Sequence, residues 1–424
     1  MSRRIFVKKL VVVAALTLLI ATLAACRTAD EPTPVAPAAP AATPAPATPA
    51  PAAPGAPAAD ERHTDSPTPV KLTPWGIAYI DDFMSYEEIV ERAMQEGQLL
   101  FYTVSSRGPD VAATFMARYP GIDVEVINIS ASELVERFYR EFNAGIRNVD
   151  VVNVPDSDGA IWMEFVQGGM LHVYWPYDIM PYFDLRFAQT ALPYFIEYIT
   201  WFYNTEVFPD GQPINSWWDL LDPQWYGRLI SRHPLEHMDT LAVWITMIQN
   251  ADDMAADYER VFGRPIVLSP GIETAAHEFI KRFFAQDVIF LSSSGDISRT
   301  IGSVDEPMLG LSASTGFRRI EAGYTFNIIT ELSPSLGLPA ISNIYIAEEA
   351  NNPFAAKLFV RYVSDYHGEG FEPFNTQGGW SPRVDIEIHE VNAPIDTLNF
   401  WDVDLEDLYF SAPAVADFIR TVLP

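Results

Sequence analysis

Four short stretches of the chain combine hydroxyl side chains with charged ones, and each lies beside a predicted strand or helix. They are TVSSR at residues 103–107, PDSD at 155–158, SRHP at 231–234 and LSSSG at 291–295. The SRHP and LSSSG stretches each predict the start of a helix. Hydroxyls, guanidinium groups and the free N–H groups of helix N-termini are donors that bind anions. The stretches therefore predict a site for a phosphate, phosphonate or carboxylate group. Any single serine or aspartate among them could equally serve only as a helix cap.

One motif indicates a different chemistry. Residues 233–237 read HPLEH, which satisfies the H-x-x-E-H pattern of a class of zinc proteases. On a helix, two histidines four residues apart share a face and can bind zinc, with the glutamate as general base. Pro234, however, fits only the first helical turn, so that His233 would lie before the helix and the two imidazoles would not share a face. A tethered zinc-dependent hydrolase stays open as an alternative function.

The elements that would position these residues alternate between helix and strand from residue 85 onward. Ser85 and Glu88 form a capping box, the S-x-x-E pattern that starts a helix. The sequence predicts, in order, a helix over 85–96, a strand over 98–102, a helix over 109–119, a strand over 122–129, a helix opened by a second capping box at Ser130, and a strand over 150–154. This alternation is typical of a parallel, doubly wound sheet, which binds ligands at the carboxyl ends of its strands.

Several segments, in chain order, resemble the extracellular solute-binding proteins of bacteria, and more narrowly their ferric-ion-, phosphonate- and thiamine-binding branch. The segments are residues 94–106, 115–154, 199–230 (with YNT and SWWDLLDPQWYG), 338–365 and 378–386 (GGWSPRVDI). Together they extend the resemblance over about residues 95–424.

The resemblance implies an α/β, two-lobe, type II periplasmic binding fold. Each lobe would be a doubly wound, mostly parallel sheet, and a hinge would join the lobes. The predicted divisions are a signal peptide over 1–26, a tether over 27–70, lobe 1 over 71–198 and 341–395, and lobe 2 over 199–340 and 396–424. A binding protein of this kind is a monomer without cofactor or catalytic activity. It closes on a small solute and delivers it to an ABC-type permease. A ligand-sensing partner of a membrane receptor would share the fold, and it stays open as a further alternative.

In such a fold the strand-to-helix loops face the interlobe cleft, and this selects the candidate ligand-binding residues. They are Ser105, Ser106, Arg107, Asp156, Ser157, Tyr203, Ser231, Arg232, His233, Ser293, Ser294, Ser314 and Thr315. Ferric-binding relatives carry an adjacent Tyr-Tyr pair after the strand that is equivalent to residues 306–311. This chain has SASTG at 312–316 and no tyrosine before Tyr324. We therefore expect an anionic or organic solute rather than ferric ion bound by phenolates, with a chelated metal left open.

The N-terminus predicts export and lipid anchoring. Basic residues at positions 3, 4, 8 and 9 precede an apolar run over 10–23, which is too short to span a bilayer and has the length of a signal-peptide core. The following LAAC, residues 23–26, resembles the lipobox of bacterial lipoproteins and implies cleavage before Cys26 and lipidation of its thiol. An ordinary secretory signal or an uncut anchor are the alternatives. Cys26 is the chain's one cysteine, so disulfides cannot stabilise the folded part.

Composition defines the tether and narrows the partners. Residues 29–69 are rich in proline and alanine and lack the apolar side chains that a core requires, which predicts an unfolded, extended segment. A ligand for a proline-recognising domain is the alternative for this segment. The net charge of −29 excludes nucleic acid and a polybasic contact with anionic lipid. We therefore expect a lipid-anchored protein on the extracytoplasmic face of the cell membrane.

Overall fold

The computed structural model describes residues 70–80, 84–188, 190–364 and 369–423, so the predicted signal peptide, Cys26 and the tether up to residue 69 lie outside the described residues. The helices are α1 (Pro74–Tyr79), α2 (Tyr86–Glu96), α3 (Gly108–Arg118), α4 (Ala131–Asn143), α5 (Met238–Gln249), α6 (Ala251–Phe262), α7 (Ala275–Phe284), α8 (Ser294–Ile301), α9 (Pro353–Val363) and α10 (Leu405–Val422). The strands are β1 (Gln98–Thr103), β2 (Asp123–Asn128), β3 (Val151–Pro155), β4 (Leu171–His172), β5 (Leu192–Asn204), β6 (Leu229–Ser231), β7 (Ile289–Phe290), β8 (Leu309–Ala313), β9 (Phe326–Ile328) and β10 (Pro339–Ala347). None of the helices in this part of the chain is long and apolar enough to cross a bilayer.

The strands form one continuous sheet with the order β2-β1-β3-β10-β5-β8-β6-β7. At one end β1 runs parallel to β2 and β3, and at the other β6 runs parallel to β7 and β8. Between these two parallel groups, β5 and β10 run antiparallel to each other and to the strands beside them. The predicted alternation of strands and helices from residue 85 to residue 154 is therefore present as β1-α3-β2-α4-β3.

Two separate hydrophobic cores divide the sheet into two lobes. The core of lobe 1 contains Phe101, Phe115 and Phe359, whose rings pack 4.8–5.1 Å apart. The core of lobe 2 contains Trp217 and Trp244, with ring centres 6.2 Å apart. The C-terminal helix α10 packs on α5 and α7, which places it with lobe 2. Each lobe thus buries its own apolar surface and can move as a unit.

The long strand β5 belongs to both lobes. Its residues 192–198 pair with β10, and its residues 199–203 pair with β8 of lobe 2. Phe195 is part of the first core and Trp201 part of the second. β5 and β10 therefore connect the two lobes, and the predicted lobe boundaries stay a prediction.

Local capping signals set several of the helix starts. Ser85 accepts a hydrogen bond from the N–H of Glu88 and the Glu88 carboxylate accepts one from the N–H of Ser85, so the predicted capping box is present. The helix expected to open at residues 231–234 begins only at Met238. Residues 233–237 form a turn instead, in which the carbonyl of His233 accepts from the N–H groups of Glu236 and His237.

Candidate functional site: the interlobe cleft

A cleft of about 1190 Å³ lies between the lobes. Lobe 1 lines it with the loops that follow β1 and β3 and with the first turns of α4. Lobe 2 lines it with Arg232, with residues 236–239 and with Ser292 to Gly295 at the start of α8. These are loops at the carboxyl ends of strands, where doubly wound sheets bind ligands. The volume is slightly larger than the ~300–1,000 Å³ that is typical of sites for small organic molecules.

Five of the residues predicted from the sequence line this cleft. They are Ser106, Ser157, Arg232, Ser293 and Ser294. The hydroxyl of Ser293 also accepts from the N–H of Asp296 and donates to its carboxylate at 2.7 Å, so this serine caps α8 as well as facing the cleft. Ser293 therefore combines a capping role with a position in the wall of the cleft.

Two further predicted residues, both in lobe 1, face their own backbone. The hydroxyl of Ser105 accepts from the N–H of Arg107 at 3.3 Å. The carboxylate of Asp156 accepts from the N–H groups of Ile161 and Trp162, and burial raises the pKa of Asp156 to about 7. Neither residue lines the cleft.

Three predicted residues in lobe 2 lie outside the lining of the cleft. Tyr203 is buried and packs on Phe208 with ring centres 6.3 Å apart. The hydroxyl of Ser231 donates to the carbonyl of Arg232. The imidazole of His233 packs edge-on against Phe290 at 4.9 Å, and its Nδ1 accepts from the N–H of Leu235.

The hydroxyl segment that replaces the tyrosine pair makes internal bonds. Ser314 Oγ accepts from the N–H of Tyr198 at 3.1 Å and donates to the carbonyl of Gly378 at 2.6 Å. Thr315 Oγ1 donates to the carboxylate of Glu197 at 2.5 Å. Both hydroxyls thus attach the loop after β8 to the hinge strand β5.

Arg107 follows the cleft-lining Ser106 in the chain but is not itself part of the lining of the cleft. Its guanidinium donates to Thr376 Oγ1 at 3.2 Å and lies 5.8 Å from the centre of the Phe374 ring. Burial, and then the positive charge of Arg318, lowers the pKa of Arg107 to about 10. Arg107 therefore lies in a partly dry, positively charged environment.

Arg318 and Arg319 extend this positive region into lobe 2. They lie on the 3₁₀ helix Ser314–Ala322, whose Phe317 belongs to the core of lobe 2. A methyl group built on cleft-lining Gly295 would lie 2.9 Å from an Arg319 nitrogen, so this guanidinium reaches the cleft. Burial and the charges of Arg318 and Arg299 lower the pKa of Arg319. We call Arg107, Arg318 and Arg319 the arginine cluster.

Glu197 is the acidic group that lies among these arginines on the hinge strand. Burial raises the pKa of its carboxyl, and Asp239 raises it further, whereas the positive charges of Arg232 and Arg107 act in the opposite direction. Sequence analysis missed Glu197, Arg318 and Arg319. Arg318 and Arg319 could have been noticed in the sequence because they are its only adjacent pair of arginines after residue 4.

Three carboxylates of lobe 1 also line the cleft. They are Glu136, Asp158 and Glu164, which we call the acidic wall. Glu136 pairs with Arg140 at 3.4 Å, Asp158 accepts from the N–H of Ala160, and Glu164 accepts from the hydroxyl of Tyr409 at 2.8 Å. Each carboxylate of the acidic wall therefore has a partner within the protein.

The HPLEH motif does not have the geometry of a zinc helix. His233 lies in the turn, and His237 is the N-cap residue of α5, so the two imidazoles do not share a helical face. Burial and the charge of Arg232 lower the pKa of His237. Across the described residues, no three histidine, cysteine, aspartate or glutamate side chains are grouped so that they could hold a metal ion.

Two lobes, two connecting strands and a cleft at the strand ends define a two-lobe, type II periplasmic binding fold. No family model and no curated protein matches the sequence. Among solved structures, the chain is similar to iron-bound HitA from Pseudomonas aeruginosa, with 15% identity, 77% of this chain and 99% of that one covered, and a TM-score of 0.57. It is similar to the apo ferric ion-binding protein A of Pasteurella haemolytica, with 14% identity, 77% and 98% covered, and a TM-score of 0.58.

A third similar structure is the periplasmic binding protein AfuA from Actinobacillus pleuropneumoniae with fructose-6-phosphate bound. The identity is 16%, 77% of this chain and 97% of that one are covered, and the TM-score is 0.57. At these identities the likeness concerns the fold. It confirms the predicted fold class and, at the level of the fold, the resemblance to the ferric-ion-, phosphonate- and thiamine-binding branch.

Proposed function

We propose that this protein is a lipid-anchored, extracytoplasmic solute-binding protein that captures a small solute between its lobes and delivers it to an ABC-type permease. The observation that carries the proposal is the cleft itself. Loops from both lobes line it, and the lobes are joined by the antiparallel strands β5 and β10. A solute that contacts both walls gains its contacts only when the lobes are close, so binding favours closure. Closure is then the signal that a permease can read.

The solute is an organic or anionic molecule rather than ferric ion held by phenolates. Tyr324, the first tyrosine after β8, packs on Phe326 with ring centres 6.5 Å apart, and Ser314 and Thr315 bond internally. No pair of phenolates is thus available on this loop for a trivalent ion. The protein acts as a monomer without cofactor, and its chemistry is reversible binding rather than catalysis.

The test is a ligand screen on the full chain, purified in detergent, combined with small-angle scattering. The panel contains phosphorylated sugars, phosphonates, carboxylates, thiamine, polyamines and ferric chelates. At a hundredfold excess over its Kd, a true solute should add ~2.7 kcal/mol to the free energy of unfolding. The same solute should reduce the radius of gyration because the lobes close.

Adding zinc and a chelator to the screen distinguishes the solute-binding function from the hydrolase alternative. We expect zinc and a chelator to leave the melting temperature unchanged. If zinc alone stabilised the chain and the chelator reversed the effect, the proposal would lose to a zinc-dependent enzyme. His237→Ala provides the matched variant, since it removes one imidazole of the motif.

The lipid anchor is tested separately at Cys26. We expect the wild-type chain to partition into the detergent phase after expression in bacteria and Cys26→Ser to partition into the aqueous phase. Two acyl chains suffice for stable anchoring. Equal partitioning of the two chains would contradict lipidation.

A further inference from the structure

The three guanidiniums of the arginine cluster lack carboxylate partners. Among the described residues, no aspartate or glutamate lies within ion-pair distance of Arg107, Arg318 or Arg319, whereas neighbouring Arg299 pairs with Asp296 and Arg232 pairs with Asp239. The sequence contains 56 acidic and 27 basic residues, so carboxylates are the commoner charged group. Three unpaired arginines at one place therefore require an explanation other than a shortage of partners.

The cluster is electrostatically unfavourable when it is empty. Like charges and burial lower the pKa values of Arg107 and Arg319, which means that the protonated forms are destabilised where they lie. Arg232, which lines the same cleft, has a buried Nε that bonds to no acceptor in the described part of the chain. Buried donors without acceptors cost stability. An anion bound beside these side chains would offset the positive charge of the cluster and would give the Nε of Arg232 an acceptor.

The cluster also spans the two lobes. Arg107 precedes α3 of lobe 1, whereas Arg318 and Arg319 lie on the 3₁₀ helix of lobe 2. An anion that contacts both sides would draw the lobes together. Planar guanidiniums suit phosphate and carboxylate oxygens in particular, because they can donate two parallel hydrogen bonds.

We propose that the arginine cluster binds a solute group that carries two negative charges, either a phosphate or phosphonate monoester or a pair of neighbouring carboxylates. Such a group carries several anionic oxygens, so it can accept hydrogen bonds from guanidiniums of both lobes at once. The remainder of the solute extends along Ser293 and Ser294 into the cleft. This inference rests on the proposed solute-binding function and adds the chemical class of the solute.

The test is calorimetry at pH 8 on the full chain in detergent, where phosphate monoesters carry close to two charges. The probes are glycerol 3-phosphate, inorganic phosphate and succinate as two-charge ligands, acetate as a one-charge ligand and glycerol as a neutral one. We expect at least one two-charge probe to bind at least tenfold more tightly than acetate and glycerol. The phosphate and succinate arms show which two-charge chemistry is preferred.

Substitutions assign the binding to the cluster. Arg107→Ala and Arg318→Ala should each weaken the two-charge probe at least tenfold, and Arg107→Lys should keep part of the affinity because the charge remains. Arg420→Ala is the matched control, because Arg420 is an exposed arginine on α10 that pairs with Asp417. Melting temperatures verify that each variant is folded.

Two outcomes would overturn the inference: two-charge probes that bind no better than acetate, or folded cluster variants that bind the two-charge probe like the wild type. The ligand screen keeps this failure distinct from failure of the proposed function. A neutral or cationic solute that closes the lobes would leave the solute-binding function in place. If no solute of any class bound or closed the lobes, both proposals would fail.

Discussion

The interlobe cleft contains two regions of opposite charge that differ in how their charged groups are satisfied. On the acidic wall, Glu136, Asp158 and Glu164 each bond to another group of the protein. In the arginine cluster, Arg107 bonds to a neutral hydroxyl, and Arg318 and Arg319 have no carboxylate within ion-pair distance in the part of the chain that the structure describes.

This difference teaches that the sign of the charge in a cleft does not by itself identify the solute. Charged groups with internal partners contribute to the folded structure, and their partners compete with any ligand. Charged groups without partners carry the cost of partial burial until a ligand arrives. The acidic wall should therefore affect stability, and the arginine cluster should affect affinity.

Reversing the charge of the cluster should give the largest effect. We expect Arg318→Glu combined with Arg319→Glu to weaken binding of a two-charge solute by at least about 100-fold, since attraction becomes repulsion at close range. Calorimetry on the full chain measures the change. Arg420→Glu is the control for net charge. If it weakened binding as strongly, the effect would come from the net charge of the whole protein and not from the arginine cluster.

The second prediction concerns stability at Asp156, which adjoins the acidic wall through Asp158. Burial raises the pKa of Asp156 to about 7 from an ordinary value of 3.8, so the folded state holds this proton more tightly than the unfolded state. Its contribution is therefore full below pH 4 and is lost as the pH rises through about 7.

We expect the melting temperature to fall between pH 5 and pH 7.5, and Asp156→Asn to reduce that fall by at least about 4 °C. The raised pKa of Glu96, also about 7 through burial, adds a fall of the same sign, so Glu96→Gln on the Asn background is the matched second step. A wild-type melting temperature that rises over this range would contradict the assignment.

The third prediction concerns Glu197, the carboxylate within the arginine cluster. Glu197→Gln keeps the shape and a hydrogen-bond acceptor for Thr315 but removes a negative charge beside Arg107 and Arg232. We expect binding of a two-charge solute to tighten by about three- to tenfold. Glu259→Gln, at an exposed position of α6, is the control. Weaker binding in Glu197→Gln would mean that the carboxylate contacts a donor on the solute.

The smallest effect is expected at the acidic wall. Tyr409→Phe removes the hydroxyl that donates to Glu164 and should lower the melting temperature by roughly 1–2 °C, because the bond is exposed. Tyr226→Phe, at an exposed loop position, should change it less. If Tyr409→Phe reduced anion affinity as much as the arginine variants do, the acidic wall would contribute to binding in the same way as the arginine cluster, which would contradict the comparison.

Local features of the fold could be predicted from the sequence because their causes lie within a few residues. The capping box of Ser85 and Glu88 and the alternation of strands and helices up to residue 154 are both present. The helix expected at residues 231–234 begins only at Met238, since the HPLEH stretch forms a turn before it. The candidate site could be predicted only in part. Ser106, Ser157, Arg232, Ser293 and Ser294 line the cleft because strand-end loops point there.

The sequence by itself determined the α/β class, the order of the elements and the loops that surround the cleft, because periodicity and capping act along the chain. Only the tertiary structure decided which charged groups have partners. Arg107 and Arg318 lie in different lobes and far apart in the chain, and Glu197 reaches Arg107 from the hinge strand. Whether a charged side chain has a partner depends on which distant residues the fold places next to it, and a local sequence pattern contains no information about those residues.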